Sequence, residues 1–152
     1  MNFFLIWLVK LFFPKYWLLP SSLVYAQAKH ETGNFNSPIY HENNNLFGMK
    51  ESSRSYESGS NRGHANYSCR LLSVIDYYKR QIQFQIFSTN VNSYINETFQ
   101  SGYAEDRAYK VRWFDTYNSL PVVFRLVSFL FIPSILLVVY WFAKGKVSFP
   151  FS

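Results

Sequence analysis

Apolar and polar positions divide the chain of 152 residues into an apolar start, a polar middle and an apolar end. Residues 1–19 are mainly Phe, Leu, Trp and Val, whereas residues 20–120 hold most of the Asn, Ser, Glu and Gly. The final zone is strongly apolar up to residue 143 and then briefly basic. We therefore predict an N-terminal apolar helix (1–19), an ordered domain (20–120), a membrane segment with a basic flank (121–146) and a tail (147–152).

The C-terminal zone is the strongest of these signals. Residues 126–143 contain no charged side chain, and extending the run back to Val122 adds only Arg125. As a helix, residues 122–143 would extend about 33 Å, and a bilayer core is about 30 Å thick. Tyr140 and Trp141 lie near one end, where aromatic belts form. We predict a single-pass transmembrane helix with a lipid membrane as partner; a buried helix of the domain is the alternative.

The N-terminal zone is too short to span a bilayer. Residues 3–13 are apolar except for Lys10, and residues 26–28 have the A-x-A form of a signal-peptide cleavage site. Because Lys10 interrupts the apolar run and no basic segment precedes it, we do not interpret it as a signal peptide. We expect a helix that packs on the domain or lies in the membrane interface, with Lys10 and Lys15 at the headgroups.

The polar middle has helical spacing and turn signals. Ser21 and Ser22 follow Pro20, and Gly33 comes just after Glu31, which together predict a helix of about three turns. Glu31 then lies in the last turn, at the border of the buried face. Partial burial and the negative end of the helix dipole would both raise its pKa. A carboxylic acid protonated near neutral pH suits glycosidic bond cleavage; a solvated helix-end glutamate is the alternative.

The remaining pattern predicts a mainly α protein with a small β-hairpin. Apolar spacing predicts two helices within residues 71–99 and a final one over 107–117, and the Ser/Gly-rich segment around Glu57 suits a hairpin. The single Cys69 excludes an intrachain disulfide and a cysteine zinc site, and we expect it to be buried. The histidines lack metal-ligand spacing, so we predict neither a metal nor a cofactor.

Composition restricts the function classes. Apolar residues are 49% and charged residues 16%, which excludes a disordered chain. The net charge of +6 suits an anionic partner such as nucleic acid, an anionic membrane or a bacterial wall. Basic residues are scattered, and the longest cluster is Lys79 with Arg80. We therefore expect no nucleic-acid partner.

Four segments then occur in a specific order: AQAKHETG at 26–33, NNLFGMK at 44–50, YS at 67–68 followed by Ser73 and Asp76, and YAED at 103–106. Together they resemble the bacterial and phage glucosaminidase family, glycoside hydrolase family 73, over roughly residues 21–118. The resemblance implies a lysozyme-like α-lobe with a small β-hairpin and cleavage of peptidoglycan glycan strands. It also makes a bacteriophage source plausible.

The resemblance implies site residues as well. Glu31 matches the catalytic general acid, and Tyr103 matches a tyrosine that lines the cleft beside it. The substrate-binding candidates are Asn44, Asn45, Phe47 and Tyr67. For a second catalytic carboxylate Glu57 is the better candidate and Glu51 the weaker; otherwise an N-acetyl group or C6 hydroxyl of the substrate would act as nucleophile. Asp106 is expected to cap a helix, and Asp76 to be solvated or capping.

The functional expectation is a membrane-anchored peptidoglycan hydrolase that cuts β-1,4 bonds, N-acetylglucosaminidase-like, for phage penetration or lysis. Its location would be a virion membrane or the bacterial cell envelope, with other virion proteins as possible partners. One alternative is a lytic transglycosylase that leaves anhydro-muramic ends. The other is a non-catalytic wall-binding or virion membrane protein.

Overall fold

The computed structural model describes residues 1–52, 54–128 and 140, and its secondary structure is mainly helical. A short 3₁₀ turn at Pro14–Tyr16 follows the first helix, and a wide turn at Phe99–Tyr103 bends at Gly102. Residues 122–128 are also helical. The other elements are α1 (Asn2–Lys10), α2 (Ser21–Glu31), α3 (Pro38–Glu42), β1 (Gly59–Asn61), β2 (His64–Asn66), α4 (Arg70–Gln83), α5 (Val91–Thr98) and α6 (Tyr109–Asn118).

Helix α2 is the centre of the fold and packs against both α1 and α6. Its small residues Ala26 and Ala28 are fully buried, which lets neighbouring helices approach closely. Trp113 of α6 donates from Nε1 to the Leu23 carbonyl at 3.1 Å and fixes one of these contacts. A helix surrounded in this way holds its last residue, Glu31, on a rigid support.

The small sheet is a two-stranded antiparallel hairpin, in which Gly59 pairs with Asn66 and Asn61 with His64. Arg62 and Gly63 form the turn with φ of +56° and +71°, the left-handed pair that favours tight hairpins. The predicted mainly α architecture with a small hairpin is therefore confirmed. The predicted helices over residues 21–31, 71–99 and 107–117 correspond to α2, to α4 with α5, and to α6.

The N-terminal zone packs on the domain through one face and leaves the other apolar face open. Ile6 and Val9 of α1 join the core. Lys10 is fully buried and donates from Nζ to the Leu19 carbonyl at 2.8 Å, and burial lowers its pKa to about 8. The expectation that Lys10 lies at lipid headgroups is wrong. The chain reverses direction after α1, and backbone carbonyl groups that face inward there accept hydrogen bonds from the Lys10 ammonium group. Lys15 is exposed, with Nζ 4.1 Å from the centre of the Phe87 ring.

Two further expectations are corrected. Cys69 is exposed, because it is the extended residue immediately before α4 and lies at the surface. Asp76 is buried and ion-paired with Arg54, so it is neither solvated nor capping. Asp106 lies close to its expected place: its Oδ1 accepts from the Ala108 N–H at 2.8 Å in the turn before α6, although no side chain caps α6 itself.

The predicted transmembrane helix over 122–143 lies largely outside the described residues. Among residues 1–52, 54–128 and 140, no helix has the length and apolar character to cross a bilayer.

Candidate active site

A cleft of about 340 Å³ opens beside the C-terminal end of α2. Its walls come from four parts of the chain: the end of α2, the loop from Gly48 to Arg54, the last turn of α4, and the segment from Gly102 to the start of α6. Glu31 is one of the lining residues. Its charged and aromatic lining residues include Glu31, Glu51, Arg54, Arg80, Tyr103 and Tyr109.

Glu31 is a partly buried carboxyl group with no cation beside it. No Lys, Arg or His nitrogen in the described part of the chain lies within salt-bridge distance of its oxygens. Burial raises its pKa to about 7, although a hydrogen bond from Tyr109 acts in the opposite direction. The group therefore carries a proton over much of the neutral range, as general acid catalysis requires.

The Tyr109 hydroxyl fixes the orientation of this acid. It donates to Glu31 Oε1 at 2.5 Å and accepts from Gln27 Nε2 at 3.0 Å. Gln27 is held in turn by the Tyr77 hydroxyl, which donates to its Oε1 at 2.5 Å. In this row of hydrogen bonds each tyrosine hydroxyl donates its proton to one acceptor, so Oε1 of Glu31 already accepts a hydrogen bond.

The second oxygen of Glu31 lies against the backbone of Gly48. A Cβ atom at Gly48 would be 2.9 Å from Glu31 Oε2, so a side chain there would force the carboxyl group of Glu31 to shift. Gly48 also has φ +59°, a conformation that glycine adopts without steric cost. The glycine of the NNLFGMK segment is thus favoured for two reasons: its backbone conformation and the position that it leaves for the Glu31 carboxyl group.

Tyr103 lines the cleft beside Tyr109, and the two rings stack with centroids 6.1 Å apart. Its hydroxyl donates to the Phe47 carbonyl at 2.5 Å and does not contact Glu31. Burial first, and then the nearby Glu31, raise the pKa of Tyr103 well above its usual value. Tyr103 is therefore a neutral cleft wall in the predicted place, and its catalytic role stays a prediction.

The predicted substrate-binding residues lie behind the cleft surface. Asn45 is fully buried; it donates to the Met49 carbonyl at 2.9 Å and accepts from the N–H groups of Phe47 and Met49. Phe47 is also fully buried and stacks on Tyr77 with ring centroids 4.0 Å apart. Asn44 donates to the Tyr67 carbonyl at 2.9 Å. This geometry favours positioning of the Gly48 loop, and substrate contact by these side chains stays a prediction.

Tyr67 belongs to a buried brace beneath the same loop. Its hydroxyl donates to Asp76 Oδ2 at 2.6 Å, and Arg54 Nε donates to the same oxygen at 2.7 Å. Arg54 also pairs with Glu57 at 2.9 Å. The brace ties the loop between Gly48 and the hairpin to α4, so Tyr67 supports the cleft wall from inside.

The candidates for a second carboxylate are placed differently. Glu57 is nearly buried under Arg54 and accepts from the N–H and hydroxyl of Ser52, both at 3.2 Å; it is not among the residues that line the cleft. Glu51 is exposed and lines the cleft, as does Glu105, which pairs with Lys50 at 3.6 Å. The catalytic role of Glu57 stays a prediction, and Glu51 is the candidate with access to the cleft.

The model of the family named Glucosaminidase, described as mannosyl-glycoprotein endo-beta-N-acetylglucosaminidase, matches residues 14–120. The chain belongs to the glucosaminidase family. No curated protein sequence and no solved structure gives a significant match. The resemblance drawn from the four sequence segments is thus confirmed, over a slightly longer range than 21–118.

Membership of the glucosaminidase family supports a glycoside hydrolase that acts on peptidoglycan. The match spans the whole cleft, including Glu31 and Tyr109, and leaves out α1 and the residues after 120. The domain boundaries predicted at 20 and 120 stay a prediction.

Several residues that shape the glucosaminidase cleft were given no role in it from sequence: Gly48, Arg54, Asp76, Arg80 and Tyr109. For Tyr109 a signal exists, because Tyr109, Trp113 and Tyr117 recur at helical spacing and are all buried on one face of α6. For Gly48 the family segment itself was the signal. Nothing in the sequence pattern links Arg54 with Asp76, which are 22 positions apart.

Proposed function

We propose that this chain cleaves β-1,4 glycosidic bonds of bacterial peptidoglycan, with Glu31 as the general acid. The observation that carries the proposal is the pairing of a cleft-lining carboxyl group of pKa about 7 with the hydroxyl of Tyr109. In the reaction, protonated Glu31 donates its proton to the glycosidic oxygen as the C1–O bond breaks. The leaving sugar departs as an alcohol, and the resulting carboxylate keeps the Tyr109 hydrogen bond.

The second half of the reaction has two candidate routes. In the first, Glu51 either activates a water that attacks C1 or attacks C1 itself; it is the candidate because it lines the cleft and is exposed. In the second, the substrate's own N-acetyl group or C6 hydroxyl attacks C1. A specific observation favours keeping the second route: Glu31 is the one acid among the described cleft residues that is not exposed. Attack by the C6 hydroxyl would make the enzyme a lytic transglycosylase.

The decisive experiment is the digestion of purified sacculi by the Glu31→Gln variant. The amide keeps the shape of the side chain but has no acidic proton, and general acid catalysis contributes about 10²–10⁴ in rate. We expect loss of that size, with wall binding retained. Glu42→Gln is the matched control, because among the described residues Glu42 bonds the exposed hairpin residues Asn61 and Arg62 and lies outside the cleft lining. Near-normal turnover by Glu31→Gln would refute the assignment, and absence of hydrolysis by the unaltered chain would favour a wall-binding protein.

Product analysis separates attack by the C6 hydroxyl from the other possibilities. Hydrolysis, whether through Glu51 or through the substrate's N-acetyl group, leaves a reducing sugar end, whereas intramolecular attack by the C6 hydroxyl leaves an anhydro-muramic end. In the same assay Glu51→Gln and Glu57→Gln compare the two candidate carboxylates. We expect the Glu51 substitution to reduce hydrolysis more, and equal effects of the two would argue against a role for Glu51 at C1.

We further propose that both apolar ends attach the enzyme to a lipid membrane. The ring of Phe124 lies 4.3 Å from that of Phe3 in α1, and the Ser22 and Ser128 hydroxyl oxygens are 2.9 Å apart, so residues 122–128 pack beside α1 and α2. Large apolar side chains are exposed on both segments, and the chain then continues into an uncharged sequence up to residue 143. The exposed side chains are Met1, Phe4, Leu8, Phe12, Val122, Val123, Leu126 and Val127.

Liposome flotation tests this attachment. The full chain should float with vesicles, and a chain shortened after residue 128 should float weakly or only at low salt. Phe4→Ser with Phe12→Ser should abolish the weak binding of the shortened chain, while Phe84→Ser, at an exposed position after α4, should not. Failure of the full chain to float would refute the membrane proposal.

A further inference from the structure

Arg80 is a cleft-lining cation that the proposed reaction does not use. It lies in the last turn of α4, and its guanidinium is partly buried. The Cζ atom is 4.6 Å from the centre of the Tyr103 ring and 4.4 Å from that of Phe84, so aromatic faces cover the group on two sides. Burial is the main effect on its pKa, which is lowered.

The hydrogen bonds of this guanidinium are incomplete. Nη1 donates to Gln81 Oε1 at 3.1 Å, and Nη2 donates to the carbonyl and the hydroxyl of Ser101 at 3.3 and 3.0 Å. These bonds use at most three of the five N–H donors of a guanidinium. In the described part of the chain no acceptor bonds the Nε–H group, and all three acceptors found are neutral.

The other cations of the cleft differ from Arg80 in this respect. Arg54 has two carboxylate partners, Asp76 and Glu57, and Lys50 pairs with Glu105. Arg80 has no carboxylate within salt-bridge distance among residues 1–52, 54–128 and 140. Removing a cation from water without an anion to pair with is unfavourable, so an unpaired guanidinium in a cleft indicates a ligand anion.

A row of aromatic rings connects this cation with the acid. Glu31 is bonded by Tyr109, the Tyr109 ring stacks on Tyr103, and Tyr103 lies against Arg80. These contacts place Arg80 and Glu31 in one cleft, joined by two neighbouring tyrosine rings. A glycan strand with its scissile bond at Glu31 would pass the guanidinium on its way along the cleft.

We propose that Arg80 forms a carboxylate-binding subsite that recognises an acidic group carried by the glycan strand. The inference rests on the proposed function only for its choice of ligand, a bacterial wall glycan. Such a strand has two sources of carboxylate: the lactyl ether of the muramic sugar when it is free, and the stem peptide when it is attached. A guanidinium suits either source, because its planar N–H groups match the two oxygens of a carboxylate.

The test measures binding and not cleavage, so it is independent of the catalytic assignment. The full-length Glu31→Gln chain is titrated with three tetrasaccharides: uncharged chitotetraose, a GlcNAc–MurNAc repeat with free lactyl carboxylates, and the same repeat with stem peptides. Each titration is repeated with Arg80→Gln and Arg80→Lys added. Arg62→Gln is the matched control, because Arg62 is exposed on the hairpin turn and pairs only with Glu42.

We expect Arg80→Gln to weaken binding of at least one acidic tetrasaccharide about tenfold or more and to change chitotetraose binding less than twofold. Arg80→Lys should recover part of the loss, and the acidic tetrasaccharide that responds identifies the source of the carboxylate. Equal weakening for acidic and uncharged tetrasaccharides would overturn the proposal, because Arg80 would then merely support the Tyr103 ring. No weakening with any of them would overturn it as well.

Discussion

Two acids, the partly buried Glu31 and the buried Asp76, contact the same cleft loop and have different surroundings. Asp76 is 1% exposed and accepts from Arg54 at 2.7 Å and from Tyr67 at 2.6 Å. Glu31 accepts from Tyr109 at 2.5 Å and has no cationic partner in the part of the chain described. Both carboxyl groups therefore receive a tyrosine hydroxyl, and only Asp76 receives a positive charge.

The comparison shows that a carboxyl group can serve as a structural partner or as a proton donor, depending on the groups around it. The carboxylate of Asp76 pairs with a guanidinium, and its interactions hold the loop to α4. A buried carboxyl group that has only a neutral donor retains its proton into the neutral pH range and can release it to a substrate. The raised pKa of Glu31 therefore depends on two features: its donor is a neutral hydroxyl group, and no cation lies beside it in the described part of the chain.

The largest expected effect comes from removing the charge at the brace. Asp76→Asn leaves the Arg54 guanidinium without its better-buried partner and weakens the bond from Tyr67. Breaking a buried pair on one side costs about 3–5 kcal/mol, so we expect a loss of that order in the free energy of unfolding, measured with urea. Asp115→Asn on the exposed side of α6 should change it by less than about 0.5 kcal/mol. A loss at Asp76 no larger than that of the control would show that the brace carries little stability.

Replacing the carboxyl group of Glu31 by an amide should raise the free energy of unfolding at neutral and higher pH, whereas the substitution at Asp76 lowers it. Because the folded-state pKa is raised to about 7, the native state binds the proton more tightly than the unfolded chain. The wild type therefore loses stability as pH rises from about 4.5 through 7, and Glu31→Gln does not. The variant should be more stable by up to about 3 kcal/mol at pH 8, and close to the wild type at pH 4. Unfolding free energies that stay parallel from pH 4 to 8 would contradict the raised pKa.

A smaller effect is expected at Gly48, where the acid contacts the backbone. Gly48→Ala and Gly63→Ala both place a side chain at positive φ, which costs about 1 kcal/mol at either site. Only at Gly48 does the new Cβ meet Glu31 Oε2, whereas nothing lies within 4 Å at Gly63. Hydrolysis of sacculi should fall about tenfold or more in Gly48→Ala and stay near normal in Gly63→Ala. Equal activities of the two variants would mean that Glu31 has room to move.

The smallest effect is expected from removing the Tyr109 hydroxyl, the neutral donor to Glu31. In the wild type, kcat/KM should fall as pH rises through about 7, because Glu31 loses its proton. Tyr109→Phe removes a hydrogen bond that favours the charged form, so this descending limb should move to higher pH by about one unit. Tyr103→Phe should leave the limb in place, since the Tyr103 hydroxyl bonds the Phe47 carbonyl and not Glu31. A shift to lower pH in Tyr109→Phe would contradict the assigned hydrogen bond.

Sequence reasoning placed Glu31 correctly in the last turn of its helix and missed the groups that set its pKa. Turn residues around α2 and its apolar spacing placed Glu31 in the last helical turn, and four ordered segments identified the glucosaminidase family. Asn45 and Phe47 were expected at the substrate, yet they are buried beneath the Gly48 loop. A family segment identifies which residues a fold needs, and it does not separate those that contact a ligand from those that shape the backbone.

The sequence by itself determined helices α2, α4, α5 and α6, the presence of a small hairpin and the position of Glu31 in the last turn of α2, because periodicity and turn residues are local properties of the chain. It did not predict α3, and the N-terminal helix predicted over residues 1–19 ends at Lys10. Tertiary structure alone decided that Tyr109, 78 residues away, bonds the acid. It also decided that Asp76 receives Arg54, while Arg80 has no carboxylate partner in the described part of the chain. It also turned Lys10 inward and left Cys69 at the surface. The physical reason is that a residue's charge and hydrogen-bond state depend on which groups share its surroundings, and those groups come from distant parts of the chain.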